Sequence, residues 1–396
     1  MLLKYLVVFF LLFNNIESVL CQSVFKQHVK HLASKKMAGR GYSKKGMSKA
    51  ADYLIGELKR NQLQPFYTYY IDTFYHPVNT IEYCKVKIDN KLLKPGIDYL
   101  IHPSSSSVKG TFTIQNKYAS NSAFFLGNNL QSKKYHQKID SIYTKTKTNV
   151  YLSTFNKLIY FVSISQAPYT HIILKDSVFN FNSKLNLKVK STYINNYLAK
   201  NVLAKIEGEI KDSIILLSAH YDHLGAMGKA IFYGANDNAS GTAFLLNLAQ
   251  YFSKEKPKYT LVFAFIASEE AGLIGSKKLA NQFFKDKIKL KCMLNFDLMG
   301  FGEDGITIVN GKENPGLVNQ IEELNKEKVI FKEVKVRPNA ANSDHYHFAL
   351  KGYPAIFIYT MGDSRYYHDV MDTYSHLNYE FYPKMFDFFK DFISKM

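Results

Sequence analysis

Residues 259–276 read YTLVFAFIASEEAGLIGS, and the order of these characters decides the fold. The run from Tyr259 to Ala267 carries no charge, is rich in aromatic and branched residues, and does not alternate polar with apolar. A segment of that length and pattern is a strand buried on both faces, which requires a sheet covered by helices on both sides. Two further runs, IILLSA (214–219) and LKCMLNF (290–296), repeat the pattern, and segments beginning near Ser240, Leu273, Pro315 and Ser343 read as helices between and after them. The expected architecture is α/β: a mixed, mostly parallel central sheet with helices on both faces.

The residues just past each buried strand matter as much. His220, Glu269 and Asp297 each stand beyond the carboxyl end of one of the three runs, and open α/β sheets bind ligands in the crevice outside those ends. Glu269 and Glu270 form an adjacent acid pair at such a place. Two unpaired carboxylates at a buried strand end disfavour each other's ionisation unless something cationic neutralises them. Singly, each candidate has an ordinary explanation. His220 with Asp222 reads as a satisfied polar pair, Asp237 as a helix N-cap, Asp297 as a turn residue, and His368 as an exposed loop histidine. In order along the chain they form SAHYDHLG (218–225), GANDNASG (234–241), ASEEAGLIGS (267–276), NFDLMG (295–300) and YYHDVMDT (366–373). That ordered set supplies histidine and carboxylate ligands for two metal ions. His220 and Asp297 serve one, Glu270 and His368 the other, and Asp237 gives one oxygen to each. Glu269, beside a ligand, is left to handle protons. Asp222 is expected to accept a hydrogen bond from the far ring nitrogen of His220 and fix its tautomer.

These motifs resemble the co-catalytic zinc aminopeptidases, the family of aminopeptidase Y and the bacterial leucyl aminopeptidases, over roughly Asn201 to the C-terminus. The resemblance implies a phosphorylase/hydrolase-like α/β sheet, two Zn²⁺ per chain and cleavage of peptides at their free N-termini. It assigns His220, Asp237, Glu270, Asp297 and His368 as metal ligands, with Glu269 as general base and Asp222 behind His220. It also implies a cis peptide bond after Asp237. SDHYHFALKGYPA (343–355) is similar to a family motif whose Asp-His pair shapes the site without binding metal, so His345 and His347 are not assigned as ligands. The chain departs from the pattern at Asp369, where a threonine usually follows the last histidine. A carboxypeptidase of the same family would keep every metal motif and differ only in the groups that bind the substrate's carboxylate. A glutaminyl cyclase would need one zinc, and a metal-free binding module of this fold would have lost ligands that are all present here.

The rest of the chain is organised around that portion. Residues 1–21 (MLLKYLVVFFLLFNNIESVLC) read as a signal peptide: Lys4 is followed by an apolar run too short to span a bilayer. Export is expected, to a secreted, periplasmic or surface-associated destination. Cys21 raises a lipid anchor, against which stands Leu20 where a small residue is normally required. Residues 22–66 read as the N-terminal helical part of the peptidase domain, with Met47, Ala50, Ala51, Leu54, Ile55 and Leu58 on one face and Pro65 as the stop. Residues 67–191 read as a β-rich, lid-like insertion, with strands in TFTIQNKY, KLIYFVSIS, THIILKD and LNLKVKS. The main dizinc domain occupies 192–396. Of three cysteines none has metal-ligand spacing, and no disulfide framework is indicated. The net charge of +18 comes from lysines scattered along the chain without a basic block, so peptide substrates are expected and nucleic acid is not. No transmembrane segment is expected in the mature chain.

Overall fold

The computed structural model describes residues 21–116, 122–128, 139–144 and 149–396. The leader expected over 1–21 lies outside these except for Cys21.

One sheet runs through the molecule. In its C-terminal part the strands lie in the order Val334–Val336, Gly305–Val309, Ala355–Met361, Leu290–Phe296, Ile210–His220, Tyr259–Ile266 and Lys184–Ile206. The three apolar runs pair parallel to one another, with Ile210–His220 in the middle, and Ala355–Met361 joins them in parallel. Two antiparallel pairings, by Gly305–Val309 and by Lys184–Ile206, make the sheet mixed. The double-sided burial is visible residue by residue. In Tyr259–Ile266, Leu261, Phe263 and Phe265 face one core, while Val262, Ala264 and Ile266 face another. The first core is closed by the helices Gly46–Arg60, Gly241–Phe252, Pro315–Lys328 and Tyr382–Lys395, the second by Ile274–Lys285 and His345–Ala349. Alternate side chains of a strand point to opposite faces, so a strand apolar at every position needs both layers.

The strand Lys184–Ile206 carries the sheet out of the catalytic portion. Its far end pairs with Tyr259–Ile266 and its near end with Val108–Gln115, while Ile71–Ile88 pairs along nearly its whole length. Beyond it the order continues through Ser122–Asn128, Val150–Phe155, Thr170–Lys175 and Tyr99–Ile101. These strands enclose a separate core, into which Leu224, Met227, Ala230 and Phe232 of the catalytic portion also pack.

Two local expectations are corrected and one element is added. KLIYFVSIS is not a strand: residues 157–165 form an extended strap with a single β-bridge at Ser163. Its Leu158 and Tyr160 side chains sink into the neighbouring core, and its main chain bonds at Ser163 to Asn79 of the strand Ile71–Ile88 and at Tyr160 to the loop bearing His368. The helix over Gly46–Arg60 buries Met47, Ala50, Ala51, Leu54 and Leu58 as expected, but it ends before Asn61, and Pro65 lies in a short bridge to Lys205 and Ala204. The C-terminal helix Tyr382–Lys395 adds to the expected elements. Its Met385, Phe388, Phe389, Phe392 and Ile393 have helical spacing, and Pro383 stands in its first turn where a missing N–H costs nothing.

Candidate metal centre

The carboxyl edge of the parallel strands gathers every predicted ligand. His220 ends its strand, Asp297 directly follows Phe296, and Glu269 and Glu270 lie in the turn between Ile266 and the helix Ile274–Lys285. Asp237 sits in the turn Ala235–Ser240 that opens the helix Gly241–Phe252, and the peptide bond between Asp237 and Asn238 is cis. His368 stands on the loop after Ala355–Met361.

Two groups of ligand atoms result, with Asp237 in both. His220 Nε2 lies 3.4 Å from Asp237 Oδ1 and 3.3 Å from Asp297 Oδ1. His368 Nε2 lies 3.1 Å from Asp237 Oδ2 and 3.4 Å from Glu270 Oε2. Oxygen and nitrogen ligands about 2.0–2.1 Å from a tetrahedral zinc are separated from one another by about 3.3–3.4 Å, so these spacings fit the edges of two ligand polyhedra sharing Asp237. The chemistry of the donors fits as well. Asp297 Oδ1 is buried and accepts no hydrogen bond, an expensive condition for a carboxylate oxygen unless a cation takes it. Glu269 offers an oxygen within 4.8 Å of the His220 and Asp297 donors.

The far ring nitrogens of His220 and His368 both face main-chain carbonyls. His220 Nδ1 is 3.2 Å from the carbonyl of Asp222, while the Asp222 carboxylate is 3.9 Å away. The expected carboxylate-to-imidazole bond is therefore replaced by a carbonyl that does the same work, leaving Nε2 facing the acids. The Asp222 carboxylate instead accepts from the amides of Glu269 and Glu270 and from the Tyr42 hydroxyl, which holds the two-acid turn in place. His368 Nδ1 donates to the carbonyl of Tyr160 at 2.9 Å, and the Tyr160 amide donates back to the carbonyl of His368 at 3.2 Å. The strap expected as a strand thus orients the His368 ring. Asp369 turns away and accepts the amide of Met371.

Three contributors lie outside the sequence expectations. His223 Nδ1 lies 2.8 Å from Glu270 Oε1, fixing the oxygen that does not face His368; its spacing three residues after His220 was the available signal. Asp372 accepts the amides of Asn236 and Asp237. Arg40, fully buried, donates to the carbonyls of Leu32, Tyr221, Tyr233, Gly234 and Asp237. Gly234 is required where it stands: its φ is +57°, and a Cβ there would collide with the Asp237 carbonyl and the His223 ring.

The electrostatics follow from crowding acids at a dry edge. Burial, reinforced by Glu270, pushes Asp222 up to about 6. Glu269 is held well above the usual range by burial and by the charges of Glu270, Asp344 and Asp297. Burial alone would lower His368, but Glu270 and Asp237 overcome it and raise the imidazole to about 9. Beside Asp237 opens a small cleft, partly exposed to solvent, whose walls include Leu298, Phe301, Asp363, Tyr366 and Tyr367. The Tyr367 ring stacks on His368 at 3.9 Å between centroids. His345 and His347 lie outside both ligand groups.

Residues 201–393 match the model of peptidase family M28. The chain is 33% identical over 184 residues to a probable leucine aminopeptidase of Arthroderma otae, covering 42% of this chain and 48% of that protein. It thus spans about half the length of that curated relative. In fold it is similar to an aminopeptidase from Aneurinibacillus sp. strain AM-1 (TM-score 0.68, 19% identity, covering 94% of this chain and 93% of that one). It is also similar to a zinc aminopeptidase from Bacillus subtilis (TM-score 0.70, 16% identity, 94% of both chains).

Proposed function

We propose that this chain, whose residues 201–393 match the model of peptidase family M28, is a dizinc aminopeptidase that removes residues from the free N-terminus of peptides. His220 and Asp297 would hold one zinc, Glu270 and His368 the other, with Asp237 between them. Bound there, the metals supply a water of lowered pKa and an electrophile for the scissile carbonyl. The protein's own part is proton handling and positioning. Glu269 takes the proton of the attacking water and passes it to the leaving amine, a role suited to a carboxyl whose affinity for protons is raised. Asp222 holds the main chain of Glu269 and Glu270, His223 fixes Glu270, and the Tyr160 carbonyl fixes His368.

The observation that carries the N-terminal reading is the lining of the cleft. Asp237, Asp363 and Asp372 border it, Asp363 already paired with Arg365, and among the described residues no lysine or arginine lines it. Such walls favour a substrate ammonium over the terminal carboxylate that a carboxypeptidase must bind. Leu298, Phe301, Tyr366 and Tyr367 give the N-terminal side chain an apolar seat. The test is zinc content per chain together with turnover of free aminoacyl amides, N-blocked aminoacyl amides and N-blocked peptides with a free C-terminus. Activity on the first alone is expected; activity on the last alone would replace the aminopeptidase with a carboxypeptidase.

Zinc binding should release protons. With the metal-free His368 raised to about 9, its ring is protonated at pH 7 and must lose a proton to bind through Nε2. Affinity should therefore rise with pH up to about 9 and fall as pH drops. Calorimetric titration of metal-free protein at pH 7, in buffers of different ionisation enthalpy, should show release of at least one proton per chain. A slope of zero would mean that His368 is neutral before metal arrives.

A further inference from the structure

The lysines are scattered in sequence, but the sheet collects several of them on one face. In Ile71–Ile88, residues Cys84, Val86 and Ile88 point into the core, so Tyr83, Lys85 and Lys87 point outward. Across the ladder Lys85 pairs with Lys188, and Lys188 pairs on its other side with Lys109. Three lysines thus stand in one row across three neighbouring strands. The next row holds Lys87, Asn186 and Thr111, and the one after it Lys184 beside Thr113. Strands lie about 4.8 Å apart, and like charges directly opposite one another destabilise a sheet. The neighbouring carboxylates are otherwise occupied: Asp89 accepts the amide of Lys184. Glu82 is engaged by Lys190 and Thr192, and among the described residues Lys85, Lys87, Lys109, Lys184 and Lys188 have no salt bridge. Lys188 rests its ammonium 5.3 Å from the centre of the Tyr83 ring.

Two apolar side chains share this face. Tyr83 is 36% exposed, and Leu92, which pairs with Lys87 across the edge strand Lys91–Leu92, is 57% exposed. The face is an open ladder of neighbouring strands, and its cations form a two-dimensional grid rather than a line.

We propose that the outer face of the sheet formed by Tyr83–Lys87, Lys184–Lys188 and Lys109–Thr111 docks onto an anionic lipid bilayer. The lysines meet headgroup phosphates and carboxylates, while Leu92 and the Tyr83 ring enter the interface. A planar grid of charge matches a planar anionic surface. A linear polyanion would use one row at a time and would leave Leu92 in water. The metal centre takes no part in the contact, so the test separates cleanly from the peptidase reading.

The experiment is co-sedimentation of the full chain with vesicles of phosphatidylcholine alone and of phosphatidylcholine mixed with phosphatidylglycerol, at low and physiological salt. The parent should bind only the mixed vesicles, and less as salt rises. The triple variant Lys85→Gln, Lys109→Gln and Lys188→Gln should bind roughly a hundredfold more weakly, since each lysine near such a surface contributes about fivefold. Leu92→Ser should weaken binding further without removing its salt dependence. Both variants should keep the parent's circular dichroism spectrum and melting temperature, which reports that they are folded. Failure of the parent to bind mixed vesicles, equal binding by parent and triple variant, or binding to a sulfated polysaccharide with none to vesicles would each overturn the proposal.

Discussion

Replacing Glu269 with Gln is expected to lower kcat by roughly 10²–10⁴-fold, with zinc content unchanged. Gln keeps the size and the hydrogen-bonding shape of the side chain but cannot take a proton. The Asp222 carboxylate accepts the main-chain amides of residues 269 and 270, so the turn should survive the change of side chain. The ligand atoms of His220, Asp237, Glu270, Asp297 and His368 are untouched, and removing one carboxylate relieves crowding among Glu270, Asp344 and Asp297. Metal should therefore be held at least as well as in the parent. Zinc analysis and steady-state kinetics on one preparation check both halves. A variant that loses zinc together with activity would make Glu269 a ligand, which its place within 4.8 Å of the His220 and Asp297 donors permits geometrically. Glu269→Ala should lose activity to a similar degree, and KM in either variant should move far less than kcat if the group acts only in the proton transfer.

The catalytic fold was legible because its signals are local and redundant. A strand such as Tyr259–Ile266, apolar at every position, permits one layered arrangement, and an acid or histidine immediately after it can only fall on the sheet's carboxyl edge. Three of the candidate residues, His220, Glu269 and Asp297, could be placed for the same reason, each being tied to the end of an apolar strand; His368, on a loop beyond Met361, had only its motif. The contacts that hold the ligands were not legible. The bond from Tyr160 to His368 joins residues far apart in sequence through main-chain atoms, and main-chain atoms leave no trace in residue identity. The strap itself reads as a strand because an apolar run alternating with polar residues looks the same whether its backbone pairs with a neighbouring strand or with a loop. Asp222 has the task its sequence suggests, performed by a different atom: the carbonyl serves His220 and the carboxylate serves the Glu269 turn. The basic face was invisible because cross-strand register, not proximity in sequence, brings Lys85, Lys109 and Lys188 together.

Arg40→Met should destabilise the metal-free protein by about 3–5 kcal/mol, the usual cost of removing one partner from a buried charged network. The Arg40 side chain reaches the carbonyls of Leu32, Tyr221, Tyr233, Gly234 and Asp237 at 2.7–3.1 Å, and Met would take a donor from each, leaving Gly234 the amide of Ala239 and Tyr233 partial access to solvent. Arg40 also carries a buried positive charge among the acids. Burial lowers its pKa to about 10 while Asp237, Asp372, Asp222 and Glu270 pull the other way, so it remains a cation at neutral pH. Opposite it, Asp372 accepts the amides of Asn236 and Asp237. The turn that carries the shared carboxylate is thus held by its carbonyls from one side and by its amides from the other. Loosening the carbonyl side should let Asp237 drift, and a carboxylate serving two metals tolerates little drift. Zinc stoichiometry should fall below two per chain under conditions that saturate the parent. Two zinc ions would themselves offset the acids, so the loss in stability should be smaller in protein refilled with zinc than after chelation. Arg40→Lys separates the two contributions: it keeps the charge but has only three donors on one atom and cannot span five carbonyls. It should recover part of the stability and little of the zinc affinity. Denaturant midpoints with and without chelator, alongside metal analysis, read both; a variant as stable as the parent with two zincs bound would show that the turn holds itself.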